Sequence, residues 1–216
     1  MTIQLKITND GSKTLFLPEM DETYHSVFGA KTESEHVFIK AGYQQINASK
    51  ISILEVGMGT GLNVYLTYLE QQKDAKEIYY ETLEKYPLSA EIYNELNYAN
   101  DENKQVFNLI HQSEWHKIIQ LNKNFKLKKV QTDLIYFSSK NTFDLIYFDA
   151  FDPAKQPELW TEKVFRNMYN CLNNNGILVT YSAKGIVRRA MQAVGFTVER
   201  IPGPPGKREM MRATKS

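Results

Sequence analysis

The chain has 216 residues, 42% hydrophobic and 24% charged, with a formal net charge of +1. This length suits one domain, or one domain with an extension, and the apolar content suits a buried core. A strongly basic protein is excluded, and no apolar stretch approaches the length of a membrane span.

The N-terminal stretch MTIQLKITNDGSK has neither a long apolar core nor a small-residue cleavage site, so no secretory leader is expected and the cytoplasm is the expected location. Up to Gly42 the chain reads as short strands: IQLKIT, a turn at Asn9-Asp10-Gly11, TLFLP, and later HVFIKAG. Between the last two lies a polar and aromatic stretch with Tyr24, His25 and Phe28, which suits either a cover over a ligand site or a solvated loop. Residues 1–45 are therefore expected to form a β-rich extension, and residues 46–216 an α/β domain.

That domain opens on ISILEVGMGTGLN, Ile51 to Asn63. A strand-length aliphatic run is followed by Leu62, Val64, Leu66 and Leu69 at helical spacing, so Gly57, Gly59 and Gly61 sit at a strand-to-helix turn. Lacking Cβ atoms, they let a ligand approach the backbone. The spacing G-x-G-x-G differs from the dinucleotide fingerprint G-x-G-x-x-G, and Glu55 just before it would repel a pyrophosphate but pair with an ammonium. S-adenosylmethionine, with its amino-acid ammonium, suits this turn better; an ordinary tight turn is the plain alternative.

A second strand, EIYYETLE, ends in Glu84, where a carboxylate could accept two hydrogen bonds from a ribose. Helices are expected over Ser89 to Tyr98 and Gln105 to Leu121. The third strand, FKLKKVQTDL, leads to Asp133, placed for an adenine amino group or for capping a turn. In the fourth, FDLIYF, Leu145, Ile146, Tyr147 and Phe148 are continuously apolar, as in a parallel strand covered on both faces, and Asp149 follows immediately. Open α/β sheets bind ligands at this edge. A helix over Trp160 to Asn174, a strand GILVTYS, a helix over Ala183 to Val194, a strand FTVERI and a last antiparallel strand after PGPPGKREMM complete the alternation of an α/β fold with a mostly parallel sheet. Cys171, the single cysteine, lies in a helical pattern and reads as a buried, inert thiol. The four histidines form no metal-binding pattern, and no metal is expected.

Four blocks, EVGMGTGLN, LEKYPL, YFDAFDPAKQPELW and GPPGKREM, resemble in order and spacing the methyltransferase domain of the MnmC-type tRNA 5-methylaminomethyl-2-thiouridine biosynthesis family. The resemblance runs from about Asp10 to Thr214. It implies a Rossmann-like S-adenosylmethionine-dependent fold with a seven-stranded sheet, its last strand antiparallel, and N-methylation of 5-aminomethyl-(2-thio)uridine at the tRNA wobble position. The family's flavin-dependent oxidase half has no counterpart in these residues, so a stand-alone form with a separate FAD-dependent oxidase as partner is expected.

On this reading Glu55, Gly57, Gly59, Gly61, Asn63, Glu84 and Asp133 bind S-adenosyl-L-methionine. Asp149 orients the acceptor amine and receives its proton. Tyr24 and Phe151 meet the nucleoside, and Lys155, Lys207 and Arg208, part of a basic cluster running from Lys184 to Lys215, hold phosphates. Two other readings share the fold. An aminopropyltransferase of the spermidine synthase type carries an Asp-x-x-Asp-Pro block like Asp149 to Pro153, and a non-catalytic RNA-binding module would bind without turnover.

Overall fold

A computed structural model describes residues 2–216. Two sheets are present. A small antiparallel one is built from β1 (Gln4–Ile7), β2 (Lys13–Leu17) and β3 (Glu22–Thr23), in that order. Gly11, at φ +80, closes the first hairpin, and Asp10 ties the turn together by accepting hydrogen bonds from Thr8, Ser12 and Thr32.

The chain then forms α1 (Ala30–Ser34), which runs directly into a wider helical turn, Glu35–Lys40. HVFIK, read above as a strand, is thus helical. Its three consecutive apolar residues have no alternation, and the wide turn buries Val37, Phe38 and Ile39 together, with Phe38 against Tyr147 at 5.1 Å between ring centroids.

The main sheet follows: β4 (Lys50–Val56), α2 (Leu62–Asp74), β5 (Glu77–Glu84), the short α3 (Ala90–Tyr93), α4 (Lys104–Gln112), β6 (Ile118–Asn122), β7 (Phe125–Gln131), β8 (Phe143–Phe148), α5 (Glu162–Cys171), β9 (Leu172–Thr180), α6 (Gly185–Ala193), β10 (Phe196–Pro202) and β11 (Glu209–Lys215). The strand order is β10-β11-β9-β8-β4-β5-β7-β6. β4, β5, β7, β8 and β9 are parallel, while β11 runs antiparallel to both β9 and β10. The sheet has eight strands, not the expected seven, because β6 adds an antiparallel edge beside β7.

β6 occupies the end of the stretch expected to be helical from Gln105 to Leu121. The helix stops at Gln112; His116, at φ +64, reverses the chain, and Ile118 to Asn122 pair with the exposed edge of β7. Likewise the helix expected to reach Asn174 ends at Cys171, since Asn173 to Gly176 form a bulge in β9 instead of a helix stop. The register with β8 jumps from Phe143↔Leu172 to Leu145↔Ile177. Asn173 Nδ2 donates to Asp144 Oδ1 at 2.8 Å, holding the bulge. The helix expected from Ser89 to Tyr98 is a single turn.

Each face of the sheet has its own core. Leu54, Val56, Ile146 and Phe148 point to the side covered by α5 and α6. Ile51, Ile53, Leu145 and Tyr147 point to the other, where α2 and α4 pack together with Leu15, Val37, Phe38 and Tyr43 of the N-terminal segment. The extension is thereby welded to the sheet. No described helix is long and apolar enough to cross a membrane.

Candidate active site

The carboxyl ends of β4, β5, β7 and β8 open into a cavity of about 440 Å³, roofed by Met20 to Val27 of the extension and closed on one side by Lys207 of the last hairpin. The backbone of the glycine turn forms its floor. Gly57 N and Met58 N donate to Leu83 O, at 3.0 and 2.9 Å, binding the turn to β5. Gly57 is at φ +85, and a Cβ there would stand 2.7 Å from the Asp149 carbonyl; the turn and the end of β8 touch backbone to backbone. Gly59, at φ +49, lies under the Tyr24 ring, which a Cβ would meet at 2.9 Å.

Glu84, at the tip of β5, accepts from Gly59 N at 2.9 Å and from Tyr86 N at 2.8 Å. Each carboxylate oxygen retains a further lone pair for a diol. Asp133 follows β7. It accepts from Ile135 N at 3.0 Å and from Lys85 Nζ at 2.8 Å, and the lysine holds its carboxyl below the usual range. Glu84 and Asp133 both line the cavity, as do Gly57 and Gly59.

Asp149 sits on the opposite wall. Its Oδ2 accepts from Asn63 Nδ2 at 2.9 Å. Burial pushes its carboxyl up to about 7; the Glu33 charge adds to this, while the Asn63 hydrogen bond and the Lys207 ammonium oppose it. Phe151 and Tyr24 line the cavity beside it, ring edge to face at 5.1 Å.

Glu55, Gly61 and Asn63 lie behind the cavity wall. Side chains alternate along β4, and Glu55 shares the face of Ile51 and Ile53, beneath α2. It is fully buried and accepts from the Thr82 hydroxyl at 2.5 Å. Burial pushes its carboxyl up to about 8. A direct meeting of Glu55 with a ligand ammonium, expected above, is not what this placement offers.

Of Lys155, Lys207 and Arg208, it is Lys207 that lines the cavity, together with Lys85 from the end of β5. The Lys207 ammonium is 2.8 Å from Glu33 Oε1 and 4.0 Å from the centroid of the Tyr181 ring. Lys155 lies 4.0 Å from Asp21 outside the cavity, and Arg208 is exposed on the hairpin, where Glu209 pairs with Arg200 instead.

Glu33 and Tyr181 were not singled out in the sequence. Glu33 lies among other acids and carries no local signal; Tyr181 does, since it ends a buried strand at the same edge as Asp149. A further pair, His25 and His111, grips Thr60 behind the turn: His25 Nε2 meets the Thr60 hydroxyl at 2.7 Å and His111 Nε2 its carbonyl at 3.1 Å. Burial lowers both imidazoles to about 4, so they act as neutral braces. Among the described residues no cluster of His, Cys, Asp and Glu is arranged to hold a metal.

A glycine cradle, an acid at the tip of β5, a second acid beyond β7 and an acid on the far wall together suit an adenosyl group joined to an amino-acid sulfonium. Comparison with known proteins agrees. A family described as S-adenosyl-L-methionine-dependent methyltransferase matches residues 73–216. The chain belongs to this family, and its cofactor is S-adenosyl-L-methionine.

Among its relatives, the tRNA 5-methylaminomethyl-2-thiouridine biosynthesis bifunctional protein MnmC of Cupriavidus metallidurans is 28% identical over 94% of this chain and 32% of its own length. That of Leptospira interrogans is 30% identical over 89% of this chain and 32% of its own. The chain thus spans about a third of the length of these curated relatives. MnmC2 from Aquifex aeolicus superposes with a TM-score of 0.83 at 26% identity, covering 98% of this chain and 70% of the other. Spermidine synthase from Thermotoga maritima, at 16% identity and a TM-score of 0.61 over 99% of this chain and 68% of the other, shares the fold.

Proposed function

We propose that the protein transfers a methyl group from S-adenosylmethionine to the exocyclic amine of 5-aminomethyl-(2-thio)uridine at the wobble position of tRNA, in the cytoplasm. The observation that carries the reading is Asp149: a carboxylate at the end of a buried strand, facing the same cavity as the glycine turn, with its proton affinity raised towards neutrality. When bound, the cofactor supplies an electrophilic methyl group on a sulfonium. A primary alkylammonium has no lone pair to attack it, so the amine must first lose a proton.

Asp149 accepts that proton, directly or through water, and becomes neutral while the amine gains its lone pair. Phe151 and Tyr24 offer aromatic surface to the pyrimidine, and Lys207 offers a donor to its carbonyl or phosphate. Lys155 and Arg208, outside the cavity, are placed for phosphates further along the strand. Glu84 and Asp133 hold the ribose and adenine, and Glu55 and Asn63 support the site from behind. The names of the relatives support this acceptor. A separate FAD-dependent oxidase would expose the aminomethyl group.

The test is methyl transfer from labelled S-adenosylmethionine to tRNA from cells lacking this protein, followed by nucleoside mass spectrometry. Label in 5-methylaminomethyl nucleosides is the expected result; label in no nucleoside would overturn the tRNA assignment. A polyamine acceptor, as in an aminopropyltransferase, is the competing reading that shares the fold, and polyamine supplied in the same assay should be left unconsumed.

A further inference from the structure

Three buried side-chain oxygens behind the site have no hydrogen-bond partner: Glu55 Oε1, Asn63 Oδ1 and the Tyr80 hydroxyl, which faces Glu55. The first two belong to side chains that face one another, one at the end of β4 and the other in the first turn of α2. Glu55 is fully buried and Asn63 is 2% exposed, so bulk water cannot serve them. The remaining polar atoms are committed. Glu55 Oε2 takes the Thr82 hydroxyl, and Asn63 Nδ2 donates to Asp149 Oδ2.

The two acceptors cannot satisfy each other, and the Tyr80 hydroxyl brings one proton for the pair; a second proton, on Glu55, lets both be served. An unpaired buried polar atom is destabilising, and an uncompensated buried carboxylate considerably more so. A proton on Glu55 Oε1, donated to Asn63 Oδ1, removes both vacancies together with the buried charge.

We propose that Glu55 is a neutral acid in the resting protein and a positioning residue for Asp149, fixing the Asn63 amide with its oxygen towards Glu55 and its nitrogen towards the Asp149 carboxylate. An ionised Glu55 would instead attract the amide nitrogen, turning the amide over so that its oxygen confronts Asp149. The carboxylate would then lose the donor that orients it. The groups bearing on Glu55 are Thr82 and Tyr80 from β5, Asn63 from α2, and Asp149 and Tyr147 from the β8 end of the sheet. Among these, Asp149 is the carboxylate, and its charge further favours a proton on Glu55.

The proposal rests on the methyl-transfer reading for its catalytic consequence but not for its test. Infrared difference spectra of the whole protein at pH 7, with Glu55→Gln subtracted, should contain the carbonyl stretch of a protonated carboxyl, which bleaches as the pH is raised through about 8. In Glu55→Leu, which leaves Asn63 without its donor, the Asp149 carboxyl carbon, followed by NMR in ¹³C-aspartate-labelled protein, should titrate higher than in the parent. Glu55→Gln, whose amide can still donate to Asn63, should restore the parental titration.

In the methyl-transfer assay, kcat should fall roughly 10-fold or more in Glu55→Leu, with KM for the cofactor little changed, and Glu55→Gln should recover most of that loss. Absence of the protonated-carboxyl band, or equal displacement of the Asp149 titration by Leu and Gln, overturns the proposal. If the band and the titrations behave as stated but no tRNA is methylated, the relay stands and the assigned reaction falls.

Discussion

Lys207 Nζ stands 2.8 Å from Glu33 Oε1, joining the hairpin between β10 and β11 to α1 across the mouth of the cavity. Glu33 is nearly buried, and its other oxygen accepts from Ser26 N at 2.7 Å, so the acid is held firmly and the lysine is brought to it. Both act on Asp149, with opposite signs: the carboxylate raises its proton affinity and the ammonium lowers it.

Single substitutions of this pair should therefore move the acid limb of the kcat/KM profile in opposite directions. Glu33→Gln removes the negative charge and should shift the limb downwards by about one pH unit, while Lys207→Met should shift it upwards by a similar amount. The double variant should return towards the parent. Shifts of the same sign in both single variants would mean that the pair acts on Asp149 only through distorted packing.

The glycine turn supports a sharper comparison. Gly57 and Gly59 both have positive φ, which costs a residue with a Cβ about 1–2 kcal/mol, yet their surroundings differ. A Cβ at Gly57 meets the backbone carbonyl of Asp149, which β8 holds in place; one at Gly59 meets the Tyr24 ring, which can tilt. Gly57→Ala should lose measurable binding of S-adenosylmethionine, whereas Gly59→Ala should weaken it roughly 10-fold by calorimetry, at about 1.4 kcal/mol per decade. Equal affinities in the two variants would contradict the backbone contact between the turn and β8.

How much of this site is legible in the sequence depends on how far each signal reaches along the chain. The run Leu145 to Phe148 followed by Asp149 is local: an apolar stretch buried on both faces ends where the next acid emerges, and the acid lies at the cavity, where the pattern places it. The glycine turn is equally local. Glu55 shows what locality misses, because the face it occupies depends on the side covered by α2, and that is a property of the packed sheet. Glu33 acquires meaning only from Lys207, 174 positions away in the chain. The expected helix over Gln105 to Leu121 fails for a related reason: Ile118 and Ile119 have no alternation strong enough to announce a strand, and it is the exposed edge of β7 that recruits them.

The buried acids also make a prediction about stability. Glu55 and Asp149 titrate at about 8 and about 7 in the folded protein, above the ordinary carboxyl values of 4.5 and 3.8. Between these limits the two acids bind more protons in the folded state than in the unfolded state, while the buried His25 and His111, lowered to about 4, act the opposite way up to about 6.5, so the net decline in stability is expected as the pH rises from about 6.5 to about 8. Glu55→Gln removes one of the two contributions. The fall in Tm between pH 5 and pH 9, measured by calorimetry, should be visibly smaller in this variant than in the parent; an identical fall would mean that Glu55 carries its charge at neutral pH.

Asp149→Asn separates an enzyme from a binding module. The amide matches the carboxylate in size and keeps an oxygen to accept from Asn63 Nδ2, so the wall of the cavity should retain its shape. It cannot take a proton from an alkylammonium at neutral pH. Cofactor affinity, measured by calorimetry, and tRNA affinity, measured by filter binding, should both stay within about 3-fold of the parent, a change of less than 1 kcal/mol. Methyl transfer at pH 7 should fall by at least about 100-fold, the lower end of what a positioned base contributes. Raising the pH supplies the free amine from solution and should restore part of the rate in the variant, a recovery that a merely misfolded protein would not show. Retention of full transfer activity at pH 7 would remove Asp149 from the chemistry and leave the deprotonation to solvent.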